Sequence, residues 1–422
     1  MRINENGNWR SFRHRNFQIL FSANAVSNIG SWAQRIAQDW LVLELSHNNG
    51  TYLGLVTGLQ FLPVLFFSLH GGALADRFDK RKVLIATNIG GGLSALILGL
   101  LVTSHNVQLW HVFVLAFALG ISSAIDAPVR QAFTSDVVGH ADVANAVSLN
   151  SANFNAGRLI GPALSGASIA LFGTGPSFLM NATSYVLVIV ALMNLRKSQF
   201  FTQPRSKSLA NVREGLRYVQ ARPDLYAIMI IVFFMATFGL NFQIFNALMA
   251  TKVFHRGPGS FGLLGTFIAI GSFSGALFSA RLERFRTTMF VVYGSLFFGV
   301  SIIISAFMPS YAAYGAWLPF CGFAALTTLI AANSLMQINT DPVLRGRVMG
   351  IYLLVFMGGT PFGSPLVGVM AEYVGVRQTI FTGGLITIVA GLFVLIRYRD
   401  KVAVPEDFSV EVVLPPTYDN KS

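Results

Sequence analysis

The chain is 422 residues long, 53% hydrophobic and only 11% charged, with 30 Lys and Arg against 18 Asp and Glu; an ordinary soluble domain carries about 25% charged residues. Charge this sparse excludes a nucleic-acid binder, which needs many basic contacts to phosphate, and hydrophobicity this high excludes a disordered chain. A lone cysteine, Cys321, excludes a disulfide scaffold and a thiolate metal site.

About 20 apolar residues cross a hydrocarbon core. Windows of that length recur twelve times, near 17–45, 51–71, 83–104, 108–130, 143–172, 175–195, 224–250, 259–280, 288–308, 311–336, 346–372 and 377–397. The expected class is an all-α membrane protein of twelve transmembrane helices. The segment Met1–Asn16 is polar and basic, and the apolar run behind it exceeds a signal-peptide core, so the first span is expected to be its own targeting signal. Placing the N-terminus inside puts every Lys and Arg in inner loops and ends except Lys252, Arg256 and Arg377 outside and Arg35 and Arg158 within the membrane. That bias predicts cytoplasmic termini.

The longest polar stretch, Arg196–Pro223, divides the spans six and six. Within it Leu209, Val212, Leu216 and Val219 share one helical face, which predicts an amphipathic helix at the inner surface, with a solvated linker as the alternative. Gly72-Ala73-Leu74 recurs as Gly275-Ala276-Leu277, Pro162 as Pro365, and the Ser135–Val138 loop resembles Thr340–Val343, all at offsets near 203–205. A near-constant offset indicates a duplicated six-helix unit. The expected units are 1–195 and 224–400 as two pseudo-symmetric bundles, 196–223 as a central cytoplasmic loop, and 401–422 as a cytoplasmic tail.

Ionisable residues at membrane depth are costly and mark function by default. In the first span Asn24, Asn28, Trp32, Arg35 and Asp39 step by three or four and share a face, expected to line a watery cavity. Arg35 and Asp39 lie one turn apart, close enough to pair, and Asp39 is the candidate proton carrier, opposite Arg35 or Arg158; a permanent structural pair is the alternative. The fifth span aligns Ser148, Ser151, Asn155 and Arg158. In the second half Asn241, Gln243, Asn246, Asn333 and Gln337 offer uncharged hydrogen-bonding groups, though buried amides often only bridge helices. Asp126 and Arg130, four apart at the inner end of the fourth span, are expected to belong to a gate. Glu44 and Glu372, at outer helix ends, are expected to be solvated.

The loop after the second span reads Gly71-Gly72-Ala73-Leu74-Ala75-Asp76-Arg77-Phe78-Asp79-Lys80-Arg81-Lys82. It resembles the Gly-x-Leu-Ala-Asp-Arg-x-Gly-Arg-Lys signature of the major facilitator superfamily, with Asp79 where glycine is usual. The resemblance implies two six-helix bundles rocking about a central site, and a cytoplasmic gate carried here by Gly72, Asp76, Arg77, Lys80 and Arg81. The stretch Gly157–Gly166 resembles the exporter element of that superfamily, carried over to Gly157, Gly161, Pro162 and Gly166, with Ser165 replacing a glycine. Ala127–Phe133, Glu214–Val219 and Asp39–Leu43 look like the bacterial branch that includes enterobactin exporters and macrolide-efflux-type permeases.

The expected activity is therefore secondary active transport by alternating access, with proton-coupled export of small amphipathic compounds (drug, macrolide-like or siderophore-like). Proton-coupled uptake of a nutrient and a non-transporting scaffold are the alternatives. The expected partners are a small-molecule substrate, protons and the lipid bilayer of the cell membrane, for a monomer with no cofactor and no metal. No phosphate-binding loop is present to support ATP drive, and no nucleophile–base set suggests an enzyme.

Overall fold

The computed structural model describes residues 9–201, 212–281 and 286–402, without the side chains of 68–77, 197, 212, 280 and 399–402. Among these residues there is helix and loop but no strand, the expected outcome where each span must satisfy its own backbone in lipid. Six helices form the first half: α1 Arg15–Leu45, α2 Gly50–Arg77, α3 Lys80–Thr103, α4 Leu109–Val138, α5 Val143–Phe172 and α6 Gly175–Met193. Asp79 starts α3 as its N-cap, accepting from the backbone N–H groups of Arg81 and Lys82 at φ −62°, so the residue in place of the signature glycine needs no left-handed backbone. Gly139 and Gly173 close α4 and α5 at φ near +75°, where a side chain would be strained.

After α7 (Val212–Ala221), the seventh span is broken into α8 (Pro223–Phe234) and α9 (Phe242–Leu248), each followed by a π-helical turn, at Met235–Gly239 and Met249–Val253. Three uninterrupted helices follow, α10 Pro258–Arg281, α11 Thr288–Ala306 and α12 Tyr311–Ile338. The eleventh span breaks at Gly359 into α13 (Arg345–Gly358) and α14 (Thr360–Tyr373), and α15 (Val376–Val402) completes the set. The described residues thus make twelve helical rods at the twelve predicted windows, and ten of them are long and apolar enough to cross a membrane. The two that miss the apolar threshold are α1 and α5, whose polar faces turn inward.

Within the first half α1 packs on α5 and α6, α2 on α4, and α3 on α6; within the second, α10 packs on α12 and α11 on α15. The halves meet along α2 with α14 and α5 with α10. Both seams involve the helix ends remote from the chain termini. At Gly54 an added Cβ would run into the Ser364 carbonyl, and at Gly262 into the Pro162 carbonyl, so backbone meets backbone at both seams. The two prolines that repeat at an offset of 203 occupy equivalent places: Pro162 packs against Gly265 of α10, and Pro365 against Gly58 of α2. Seen this way, the sequence repeat becomes a pair of seams.

The helix expected in the central stretch is present as α7 and is strongly amphipathic, with part of its expected apolar face packed on the protein itself. Val219 is buried in the core while Leu216 stays exposed, and Leu209 lies outside the described residues. Glu214 pairs with Arg347 at 2.7 Å and Tyr218 Oη accepts from the Asp341 backbone N–H at 3.2 Å, so α7 is docked on the second half.

A second anchor holds the N-terminal segment. Asp142, buried between α4 and α5, receives His14 Nε2 at 2.7 Å, Arg13 at 2.9 Å and Arg10 at 3.2 Å. Burial pushes its carboxyl up, but the His14 hydrogen bond and the Arg13 charge outweigh burial and hold it below the ordinary carboxylate range. A carboxyl depressed on folding stabilises the folded protein above its unfolded value of about 3.9 and loses that contribution as pH falls through the folded value. Asp142→Asn is expected to cost about 1–3 kcal/mol at pH 7. Thermal melts of the two proteins across pH 3–7 check it: their difference should be flat above about pH 5 and shrink below about pH 4.

Candidate functional site

Because the halves join at one end, a cavity opens between the helices toward the end carrying the termini. It has two compartments. The vestibule, about 580 Å³, is lined by first-half residues alone, among them Asn28, Thr87, Asn88, Asp126, Arg130, Asn155 and Tyr185. The deeper chamber, about 390 Å³, is lined from both halves. Phe154 borders both.

One face of α1 runs the length of this cavity, as its spacing predicts. Asn24 lines the vestibule and accepts from Arg130 Nη1 at 2.6 Å, and Asn28 lies further in, against Gly157. Trp32 stands in the chamber wall, edge-on to Phe154 at 5.6 Å. Arg35 sits in the chamber, its guanidinium 5.1 Å from the Trp32 ring centre and 5.3 Å from that of Phe61. Arg158 approaches the same Trp32 ring from α5 at 5.7 Å. Such contacts favour a cation over an aromatic face.

Asp39 lies one turn deeper and is 3% exposed. The expected contact pair with Arg35 is not formed: Arg35 turns toward Trp32 and Phe61, while Asp39 Oδ2 accepts from Gln243 Nε2 at 3.1 Å. None of the ion pairs among the described residues includes Arg35, Arg158 or Asp39. Gln243 belongs to α9 in the other half, a short helix with a π-helical turn on either side, and lines the chamber together with Asn246.

The amides of the second half divide. Asn241 and Asn246 line the chamber, but their side chains are engaged structurally: Asn241 Oδ1 accepts from Ser364 Oγ at 2.9 Å and Asn246 Oδ1 from Tyr314 Oη at 2.9 Å. Asn333 and Gln337 are in neither compartment's wall, which corrects their expected place. They sit on the last turns of α12, where Gln337 Nε2 donates to Asn333 Oδ1 at 2.6 Å. The break at Leu240–Asn241 and the break at Gly359 face each other, since Gly359 and Gly363 both pack on Thr237. Paired helix breaks at the middle of a membrane are where transporters build sites.

The expected gate groups are also divided. Gly72, Asp76 and Arg77 fall in the last turns of α2, and their side chains lie outside the described residues. Lys80 pairs with Asp136 at 2.7 Å and Arg81 Nη2 donates to the Met193 carbonyl at 2.6 Å, so both cations are bound to their own half in this state. Asp126 and Arg130 form a bidentate pair, and Asp126 also accepts from Thr87 and Asn88 on α3. Their partners all lie in the first half, so they build the vestibule wall rather than an inter-half gate: the inner end of α4 faces α3 and α1, not the opposite bundle. The helix-5 element splits by role, with Gly157 and Gly161 packing on α1 in the same half, and Pro162 and Gly166 on α10 across the seam.

Glu372 differs most from expectation. It is not a solvated helix end: Lys252 Nζ binds Oε2 at 2.7 Å, and the same oxygen accepts from the Gly50 backbone N–H, the first of α2 in the other half, at 2.8 Å. No spacing pattern reveals this contact, because its partner is 322 residues away in sequence.

Comparison with known proteins agrees with this geometry. A family model described as transmembrane secretion effector matches residues 6–414. The chain is 25% identical over 392 residues to the staphyloferrin A transporter of Staphylococcus aureus (strain NCTC 8325 / PS 47), covering 92% of this chain and 98% of that protein. It is 28% identical over 389 residues to the multidrug efflux pump Tap of Mycolicibacterium fortuitum, covering 89% and 93%. Among solved structures, a bacterial homolog of the human lysosomal transporter Spinster, inward-facing and unoccupied, is similar with a TM-score of 0.73 at 15% identity, over 92% of this chain and 97% of that one, a likeness of fold. These relatives and structural neighbours are transporters, not enzymes.

Proposed function

Since the chain belongs to the major facilitator family of transmembrane secretion effectors, we propose that it exports a small amphipathic compound in exchange for protons. In this reading residues 1–195 and 224–400 are the rocking halves, joined by 196–223, and both termini and the open end of the cavity face the cytoplasm, an orientation that the excess of Lys and Arg in the loops at that end supports. Substrate enters through the vestibule, settles in the chamber, and leaves when the seams part and the inner ends close.

The observation that supports proton coupling is the Asp39–Gln243 contact. It joins the halves beside the chamber through a buried carboxylate that no cation neutralises at contact distance. Parting the seam separates α1 from α9, removes the Gln243 donor and admits water from the far side to Asp39. Protonation there abolishes the carboxylate's charge, and return to the inward-open state carries the proton across. A ligand or proton can drive such a cycle only through its differential affinity for the two states. The second reading, proton-coupled uptake, uses the same groups in reverse order; the exporter element, divided between the α1 contact and the α10 seam, favours export.

Asp39→Asn keeps the shape and the hydrogen-bonding capacity while removing the titration. In proteoliposomes with an imposed pH gradient, wild type is expected to move a compound from a panel of macrolides, siderophores and lipophilic cations. Asp39→Asn should reduce gradient-driven flux at least about tenfold, a loss of about 1.4 kcal/mol or more in coupling, while counterflow without a gradient persists. Full gradient-driven flux by the variant overturns Asp39 as the coupling group.

A further inference from the structure

The charges of the deep chamber are one-sided. Its lining holds Arg35 and Arg158 and no carboxylate, and Asp39 stands behind the wall, occupied by Gln243. The arginines come from different helices, yet both converge on one ring, at 5.1 and 5.7 Å from the centre of Trp32. Neither forms an ion pair or a hydrogen bond with a described residue, so their N–H groups are left for whatever fills the chamber. Guanidinium groups suit planar, bidentate anions better than any other side chain. The rest of the wall is apolar and aromatic, with Phe61, Phe242, Phe261 and Leu329 facing the same space. A volume near 390 Å³ is that of a site for a small organic molecule.

We propose that the chamber selects amphipathic organic anions, with a carboxylate held between Arg35 and Arg158 and an apolar or aromatic body against the phenylalanines, and that it rejects lipophilic cations. This assignment rests on the export reading and narrows its substrate class. A cation placed beside the two guanidinium groups meets like charge from both, and Asp39, behind the wall one turn from Arg35, offsets only one of the two charges. An uncharged analogue gains the aromatic contacts but leaves both guanidinium groups unpaired. Selection by charge therefore comes from repulsion as well as attraction. The vestibule, whose Asp126–Arg130 pair is internally neutralised and whose other groups are amides and hydroxyls, adds no competing charge on the way in.

The test uses three probes with one ring system and three head charges: 2-naphthoate, 2-naphthamide and protonated 2-(aminomethyl)naphthalene. Binding to the purified full-length chain is followed at pH 7.5 by calorimetry and by quenching of tryptophan fluorescence. Naphthoate should bind at least about tenfold tighter than the amide, and the ammonium probe weakest. Arg35→Gln and Arg158→Gln should each lower naphthoate affinity about tenfold or more and leave the amide's affinity unchanged, which also reports that the variants fold. Arg256→Gln, far from the chamber beside Tyr311, should change nothing. Equal binding of the three probes, tightest binding of the ammonium probe, no binding of any, or anion preference surviving the double variant overturns the proposal. Preference for the cation together with proton-driven flux sinks the anion assignment and leaves the export reading intact, whereas anion binding without any proton-driven flux does the reverse.

Discussion

Gly54→Leu is expected to hold the protein open at the end remote from its termini and to reduce transport below about a tenth of wild type. At this position even a Cβ atom meets the Ser364 carbonyl and comes within 3.0 Å of the Pro365 Cα, and neither atom belongs to a flexible side chain. A leucine adds three more carbons to a seam with no space for them. Overpacking of this kind costs about 1–3 kcal/mol or more. In the proposed cycle the seam exists in one state only, so the cost falls on that state, and each 1.4 kcal/mol shifts the balance tenfold. Accessibility to a membrane-impermeant maleimide measures the shift. In a Cys321→Ser background, Leu248→Cys reports the seam, since the Leu248 side chain lies fully buried against Gly50 of α2 in the closed arrangement. Labelling should accelerate about 5- to 100-fold when Gly54→Leu is added, with the thermal midpoint little changed because the open state relieves the clash. A lowered midpoint without faster labelling would show ordinary misfolding and overturn this account. Gly54→Ala should give a smaller shift of the same sign.

The twelve rods are legible in the chain because hydropathy and length are local properties. The interior face of α1 is legible too, since Asn24, Asn28, Trp32 and Arg35 recur at helical spacing and all reach the cavity. Their partners are another matter. The one-turn spacing of Arg35 and Asp39 suggests a pair, but the helix places Arg35 beside two aromatic rings and Asp39 beside an amide 204 residues away. Hydropathy likewise cannot separate an amide that lines a chamber from one that ties a helix to itself, as Asn246 and Asn333 illustrate. The helix breaks at Leu240–Asn241 and Gly359 leave a faint local signal, yet their juxtaposition depends on how α8 and α14 pack. What escapes the sequence is the set of contacts between halves, each made by residues far apart in the chain.

Glu372 shows what such a contact should be worth. Its Oε2 is shared between Lys252, on its own half, and the first N–H of α2, on the other. A carboxylate at a helix N-terminus gains from the unsatisfied N–H and from the helix dipole, and a hydrogen bond to a charged group contributes about 1.5–3 kcal/mol. Only the Gly50 contact crosses the seam, so only that share separates the two states of the cycle. Glu372→Ala is therefore expected to favour the state open at the remote end by about 10- to 100-fold, read as faster maleimide labelling at Leu248→Cys. Glu372→Gln keeps an acceptor for the Gly50 N–H but gives up the charge, and should fall between wild type and Glu372→Ala. Lys252→Met leaves the cross-seam hydrogen bond in place and removes only the cation that orients the carboxylate, so its shift should be several-fold smaller than that of Glu372→Ala. The ranking is what discriminates. If Lys252→Met matches or exceeds Glu372→Ala, the ion pair within the second half governs closure and the α2 N-terminus does not.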